Sequence, residues 1–327
     1  MNPSLINSGT TADELATDPL AGQAAAVEAK RRSSGLWRDT ARNILRQRSA
    51  VVGLTILSIF VFIAVFAGQI ATHDPYESLL GVEPGVTARA APCIHLLGCP
   101  ADQPQHLLGT DSNFRDVFSR VIYGTRTSLV IGLTAIGFAI FVGSTIGALA
   151  GYMSGWTDNI FMRFMDVILA FPSLLLAIVI VTAAGPSLFN ALVAISIVAI
   201  PVYARVARAS VLAAKENDYV TASRALGEST FGVLTRRIMP NSITPLVVTG
   251  TLGIGGAVLE IAALAFVGVT GDIQRAEWGS MIGLERNQLF SAPHMILAPA
   301  IFITLTVLAF NLLGDGLRDA LDPRLNR

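Results

Sequence analysis

Apolar residues in this chain fall into long uncharged blocks separated by polar stretches. Residues 50–70 carry no charge, and about 20 apolar residues suffice to cross a bilayer as a helix. A second block covers 128–153. From Val167 to Tyr203 there is again no charged residue, a length that predicts two spans. Gly185-Pro186-Ser187 and Asn190 divide them at about 163–183 and 188–206. A fifth block spans 244–269 with Glu260 inside it, and a sixth covers 295–313. The pattern predicts an all-α integral membrane protein with six transmembrane helices.

The polar stretches complete the plan. Residues 1–35 lack periodicity and read as a disordered tail, without the basic start and short apolar core of a signal peptide. An amphipathic lead-in and the first span occupy 36–70, and a loop follows over 71–126. The five remaining spans form a core domain over 127–315, ahead of a tail at 316–327. The composition agrees: 52% hydrophobic and 14% charged, against about 25% charged in soluble domains. Net charge is zero, yet 17 of the 23 Lys and Arg residues lie on one side of the six-span plan. The positive-inside rule then puts both termini in the cytoplasm. No basic surface is left over for nucleic acid.

Between the fourth and fifth spans lies a charged island, Lys215–Asn241. Its periodicity predicts two short helices joined at a glycine. Asp218 stands at an N-cap position, and Tyr219, Ala222 and Leu226 share one face. Gly227 falls where a helix C-terminus needs φ > 0. Ser229 or Thr230 can cap the second helix, whose Phe231, Leu234 and Ile238 share a face. Pro240 is expected to stop it. Charge asymmetry assigns the island to the cytoplasm.

There, with Gly227 and Pro240 separated by 13 positions, the island resembles the EAA…G…LP coupling loop of permease subunits in binding-protein-dependent ABC importers. Further stretches resemble the C-type permeases of dipeptide, oligopeptide and nickel importers. These are His106–Asp111, then Arg115-Asp116, Ser119-Arg120, Tyr123-Gly124, Arg126 and Ser128-Leu129. Asp166–Pro172, Leu259–Gly268, Trp278–Ile282 and Asn311–Pro323 follow in order, so the likeness covers residues 36–325. Departures are Thr221 for the motif Glu, Ser223 for Ala, Arg237 and Met239 before the proline, and Phe114 before Arg-Asp. Thr221 cannot close a capping box as Glu would.

The resemblance implies a type I ABC importer permease fold with a cytoplasmic coupling helix between spans four and five. It implies ATPase coupling through Asp218, Tyr219, Ala222, Ser223, Ala225, Leu226, Gly227 and Pro240. Implied partners are a second homologous permease, two ATPase subunits or domains, an extracytoplasmic substrate-binding protein and the bilayer. No G-x-x-x-x-G-K-[ST] loop occurs in the sequence. The chain therefore reads as a non-catalytic subunit without a cofactor of its own, with ATP and Mg held by the ATPase partners. Peptides are the first expected cargo, with nickel or another solute as alternatives. An autonomous secondary transporter would call for inverted repeats and midplane carboxylates; only Glu260 approaches that. A membrane-embedded enzyme would need acid/base pairs or metal ligands at one depth, which the four histidines do not supply by spacing.

Individual residues carry narrower expectations. Glu260 reads as structural or gating, with substrate contact as the alternative. Asp158, Arg163 and Asp166 read as surface charges or interfacial anchors. Cys93 and Cys99 read as a disulfide clip in an oxidising exterior, the alternative being a metal site with His95 and His106. Gly143, Gly147 and Gly151 repeat every fourth residue, a spacing that lets helices approach closely, whether as a moving or a static interface. Pro172 and Pro201 either shape a pathway or are tolerated kinks.

Overall fold

The computed structural model describes residues 44–100, 102–271 and 274–321. The tail predicted for 1–35 and most of the basic lead-in lie outside them. The described chain is helical: α1 Arg48–Val65, α2 Val117–Met153, α3 Gly155–Leu169, α4 Ser173–Ala184, α5 Leu188–Lys215, α6 Asp218–Ala225, α7 Thr230–Val267, α8 Trp278–Glu285 and α9 His294–Leu321. A single turn, Ala67–Ile70, follows α1. Among the described residues β pairing is confined to two isolated bridges, Cys93 with His106 and Thr110 with Asp116. Five helices are long and apolar enough to cross a membrane, and the bent pair α3–α4 makes a sixth when taken as one span.

That pair departs from the sequence pattern. The third block predicts one span at 163–183, but the structure holds two helices meeting at 90°. Pro172 is the N-cap of α4. A prolyl ring has no amide to continue the ladder and pushes the residue before it out of helical geometry, so the helix breaks around Phe171. Pro201 lies inside α5 without ending it. Two other boundaries shift. α2 starts within the stretch expected to be loop, because the Asp116 carboxylate accepts the Ser119 amide and caps it. α9 runs to Leu321, past the boundary expected at 315.

Lipid is as apolar as a leucine side chain, so close packing rather than water exclusion holds such helices together. The glycine repeat of α2 does this against α5. A Cβ at Gly143 would lie 2.7 Å from the Ile200 carbonyl oxygen and one at Gly151 would lie 2.9 Å from that of Arg208. At Gly147 it would overlap the Ala204 carbonyl. α7 packs on α9, α2, α5 and α8, and α1 packs on α9. The largest buried cluster joins α2, α5 and α7 through Ala139, Ile195, Tyr203, Ile261 and Leu264.

Candidate functional site: a helical elbow, a central cavity and a braced loop

The charged island forms an elbow. α6 is held by one apolar side chain, Val220, which is fully buried among Ala148, Val211, Val233, Leu234 and Ile238. The face predicted from Tyr219, Ala222 and Leu226 is the outward one. Leu226 is 88% exposed, and Phe231 on the next helix is 76% exposed. Asp218 is not the N-cap. That position belongs to Asn217, whose side-chain amide instead donates to the Ala213 and Ala214 carbonyls at the end of α5. Asp218 occupies the first turn of α6, where a negative charge suits the helix dipole.

Gly227 ends α6 at φ +80°. Its amide donates to the Arg224 carbonyl, and the Glu228 amide donates to the Ser223 carbonyl, the paired bonds of a Schellman motif. Ser229 then caps the next helix by accepting from the Gly232 amide. Pro240 does not stop that helix, as the pattern predicted. Residues Val233–Ile238 form a π turn, and the Met239 amide bonds five residues back, to Leu234. A wider turn relieves the clash that a prolyl ring makes with the carbonyl four residues before it, so α7 continues through Pro240 to Val267. The Arg237 carbonyl accepts from the Asn241 side chain instead.

The helix that leads into the elbow, α5, is tied to α3 by charges. The Arg208 guanidinium bonds both Asp158 oxygens, Nη2 to Oδ2 at 2.6 Å, the forked geometry that favours arginine. Arg205 donates to Asp166 at 2.7 Å. Lys215 donates to Ser154 Oγ at 2.6 Å and to the Gly151 carbonyl at 3.2 Å. Asp158 and Asp166, expected to be surface charges or interfacial anchors, link α3 to α5, and Asp166 stays half-exposed.

A cavity of about 630 Å³ lies beside the break between α3 and α4, lined by Ile136, Phe171, Tyr203, Gly253 and Glu260 among others. Glu260 accepts a hydrogen bond from Ser173 Oγ at 3.0 Å. That bond joins α7 to the first residue of α4. Tyr203 stacks so closely on α7 that a Cβ at Gly253 would overlap its hydroxyl.

At the other end, the loop between α1 and α2 is a polar hub. Besides the Ser119 amide, Asp116 accepts from His106 Nδ1 at 3.0 Å and Thr72 Oγ1 at 3.2 Å. Burial opposes ionisation of Asp116, but the His106 and Ser119 hydrogen bonds and the nearby His73 outweigh it and hold the carboxyl below its usual range. Buried Arg120 donates to the Pro75 carbonyl at 2.8 Å and the Gln274 carbonyl at 3.2 Å. Ser112 Oγ donates to Glu285 at 2.6 Å, and Trp278 Nε1 to the Val121 carbonyl at 3.0 Å. Glu277 caps α8 by accepting from the Gly279 and Ser280 amides, while burial pushes its carboxyl up. Cys93 and Cys99 are joined, with Cα atoms 5.5 Å apart, and their loop presents exposed Leu96 and Leu97. His95 points away, to the Gln103 carbonyl at 2.8 Å.

The residues singled out from the sequence therefore occupy three separate places. Asp218, Tyr219, Ala222, Ser223, Ala225, Leu226, Gly227 and Pro240 share the elbow, Glu260 borders the cavity, and Cys93 and Cys99 brace the loop. Val220, Tyr203 and Ser173 escaped sequence reading. Val220 alone had a signal, as the one β-branched apolar residue of a polar helix.

Residues 143–327 match the family described as binding-protein-dependent transport system inner membrane component. Residues 35–92 match the N-terminal TM domain of oligopeptide transport permease C. The dipeptide transport system permease protein DppC of Alkalihalophilus pseudofirmus is 41% identical over 289 residues, 88% of this chain and 90% of the relative. The glutathione transport system permease protein GsiD of Pectobacterium atrosepticum is 39% identical, over 88% of this chain and 91% of its own. The di/tripeptide permease DppC of Pseudomonas aeruginosa is 40% identical over the same shares.

Proposed function

We infer that this chain, which belongs to the family of inner membrane components of binding-protein-dependent transport systems, forms half of the pathway of a bacterial ATP-driven importer of short peptides. The relatives above are named for dipeptide, di/tripeptide and glutathione transport, and all three cargoes are short peptides. In this reading both termini and the elbow face the cytoplasm. A second, homologous permease completes the pathway. ATP and Mg are bound by two ATPase subunits or domains, and cargo arrives on an extracytoplasmic binding protein.

The observation that carries the reading is the form of the elbow. α6 is sealed at its C-terminus, rooted by buried Val220, and presents Tyr219 and Leu226 outward. A short helix rooted in the core by a single side chain, with Tyr219 and Leu226 on its outer face, is suited to sit in a partner's groove and move as a body. When an ATPase pair closes, α6 is carried with it. The π turn into α7 and the Arg208–Asp158 clamp between α3 and α5 lead that displacement to the cavity walls. Glu260, bonded to Ser173, acts there as a latch between α7 and α4.

Co-expression with the neighbouring permease and ATPase genes, followed by reconstitution in vesicles, tests this. The complex is expected to hydrolyse ATP faster when a peptide-loaded binding protein is added. Deleting 218–234 is expected to abolish ATPase assembly while membrane insertion persists. Ion-coupled peptide uptake by this chain alone would overturn the reading.

A further inference from the structure

The loop between α1 and α2 gathers His73, Glu83 and His106, whose donor atoms all lie within 4.8 Å of one another. His106 is 1% exposed. With Nδ1 hydrogen-bonded to Asp116 Oδ1 at 3.0 Å, Nε2 is the ring nitrogen left for another ligand. It faces Glu83 Oε2 at 3.4 Å. Both atoms are buried, and neither has a hydrogen-bond partner among the described residues. A buried imidazole nitrogen and carboxylate oxygen turned toward each other without a hydrogen bond are costly unless a proton or a metal ion lies between them. His73 Nε2 stands 3.7 Å from the same oxygen.

We propose that His73 Nε2, His106 Nε2 and Glu83 Oε2 form a binding site for a divalent transition-metal ion, Zn²⁺ foremost. Ligands about 2.0–2.1 Å from a tetrahedral ion lie about 3.3 Å apart, so the 3.4 and 3.7 Å separations are near what such an ion needs. Two imidazoles and one carboxylate suit zinc, whereas magnesium and calcium take oxygen ligands. Asp116 holds the His106 ring in orientation, as carboxylates commonly do behind metal-bound histidines. The side chains of His73 and Glu83 are 22% and 27% exposed, so the site lies at the edge of the buried hub. The ion would tie the start and middle of the loop to its end, beside the N-terminus of α2. The Cys93 amide already bonds the His106 carbonyl at 2.8 Å, so the metal and the disulfide would brace the same segment from two sides. On the proposed orientation this site faces outside the cell, but the binding claim does not depend on it.

The test uses the full chain with its partner permease, without a polyhistidine tag, in detergent. The protein is stripped with chelator under non-reducing conditions, then titrated with Zn²⁺ and separately with Co²⁺. One ion per chain is expected, with the visible Co²⁺ bands of a four-coordinate site. His73→Ala and Glu83→Gln should each weaken affinity at least tenfold, and size-exclusion confirms that each variant still assembles. Absence of saturable uptake overturns the proposal, as does uptake unchanged in both variants. None of these readouts involves transport, so failure here leaves the importer reading standing.

Discussion

The guanidinium carbon of Arg224 lies 5.2 Å from the centre of the Tyr152 ring. This contact joins α6 to the end of α2 and, with buried Val220, fixes the elbow's angle. An exposed cation–π pair is worth about 0.5–1 kcal/mol, so Arg224→Gln is expected to loosen the elbow without detaching it. The reconstituted complex should lose roughly two- to fivefold of its stimulated ATPase rate, that same energy expressed as an equilibrium. Val220→Asp puts an unpaired carboxylate among apolar side chains and should abolish ATPase assembly, read by co-purification. Normal assembly of V220D would count against the elbow as the docking element.

Gly147 and Gly137 share α2 but differ in surroundings. A side chain at Gly147 meets the Ala204 carbonyl, whereas at Gly137 it meets nothing within 4 Å. Overpacking costs about 1–3 kcal/mol and more when backbone must move. Gly147→Leu should lower the unfolding temperature of the detergent-purified chain by several degrees, and Gly137→Leu should leave it unchanged. Equal effects would show that the stripe does not set the α2–α5 distance.

If Glu260 is a latch, its partner matters as much as its charge. A hydrogen bond to a charged group contributes about 1.5–3 kcal/mol. Glu260→Ala and Ser173→Ala are therefore both expected to cut labelled-dipeptide uptake about tenfold or more, by the lower end of that range. Glu260→Gln keeps an acceptor for Ser173 Oγ and should retain most activity. A Gln variant as inactive as the Ala variant would point to the charge itself, and so to cargo contact.

Glu277 provides a pH dependence. Burial raises its carboxyl in the folded chain above the ordinary 4.5. The folded state then holds the proton more tightly than the unfolded one. Its contribution is fully present below about pH 4.5, the unfolded value, and is lost as pH rises through the folded value. Glu277→Gln removes this titration, so the variant should gain stability relative to wild type as pH rises from 4 upward. Thermal unfolding across pH measures the difference; parallel curves would mean that Glu277 titrates normally.

The sequence pattern located the elbow because its two markers, Gly227 and Pro240, act through local geometry alone. Gly227 has the positive φ expected of it. Pro240 does not end its helix, since a π turn absorbs the ring and no periodicity announces a π turn. The buried and exposed faces of α6 were not legible either. Tyr219 and Leu226 look like a core stripe, yet the chain's own core takes only Val220. The remaining apolar face is left outward, and a single sequence does not reveal what covers it. The same holds for the bend at Pro172, where hydropathy reads one continuous span and only backbone sterics separate two. The pairs Arg208–Asp158 and Ser173–Glu260 join residues 50 and 87 positions apart, distances over which no spacing rule operates.

The π turn at Val233–Ile238 amounts to one residue more than an ordinary helix would hold there. Each residue of an α-helix advances about 100° around the axis. Deleting one residue within the turn would restore regular winding and, because the turn already absorbs that extra residue, leave α6 close to its present azimuth. A deletion in the regular winding that follows, with the π turn kept, would instead swing α6 about 100° around the axis of α7 and present Leu226 to the wrong side. The turn is thus a place where this helix can lose a residue and keep the aim of α6, a property that neither hydrophobicity nor charge records.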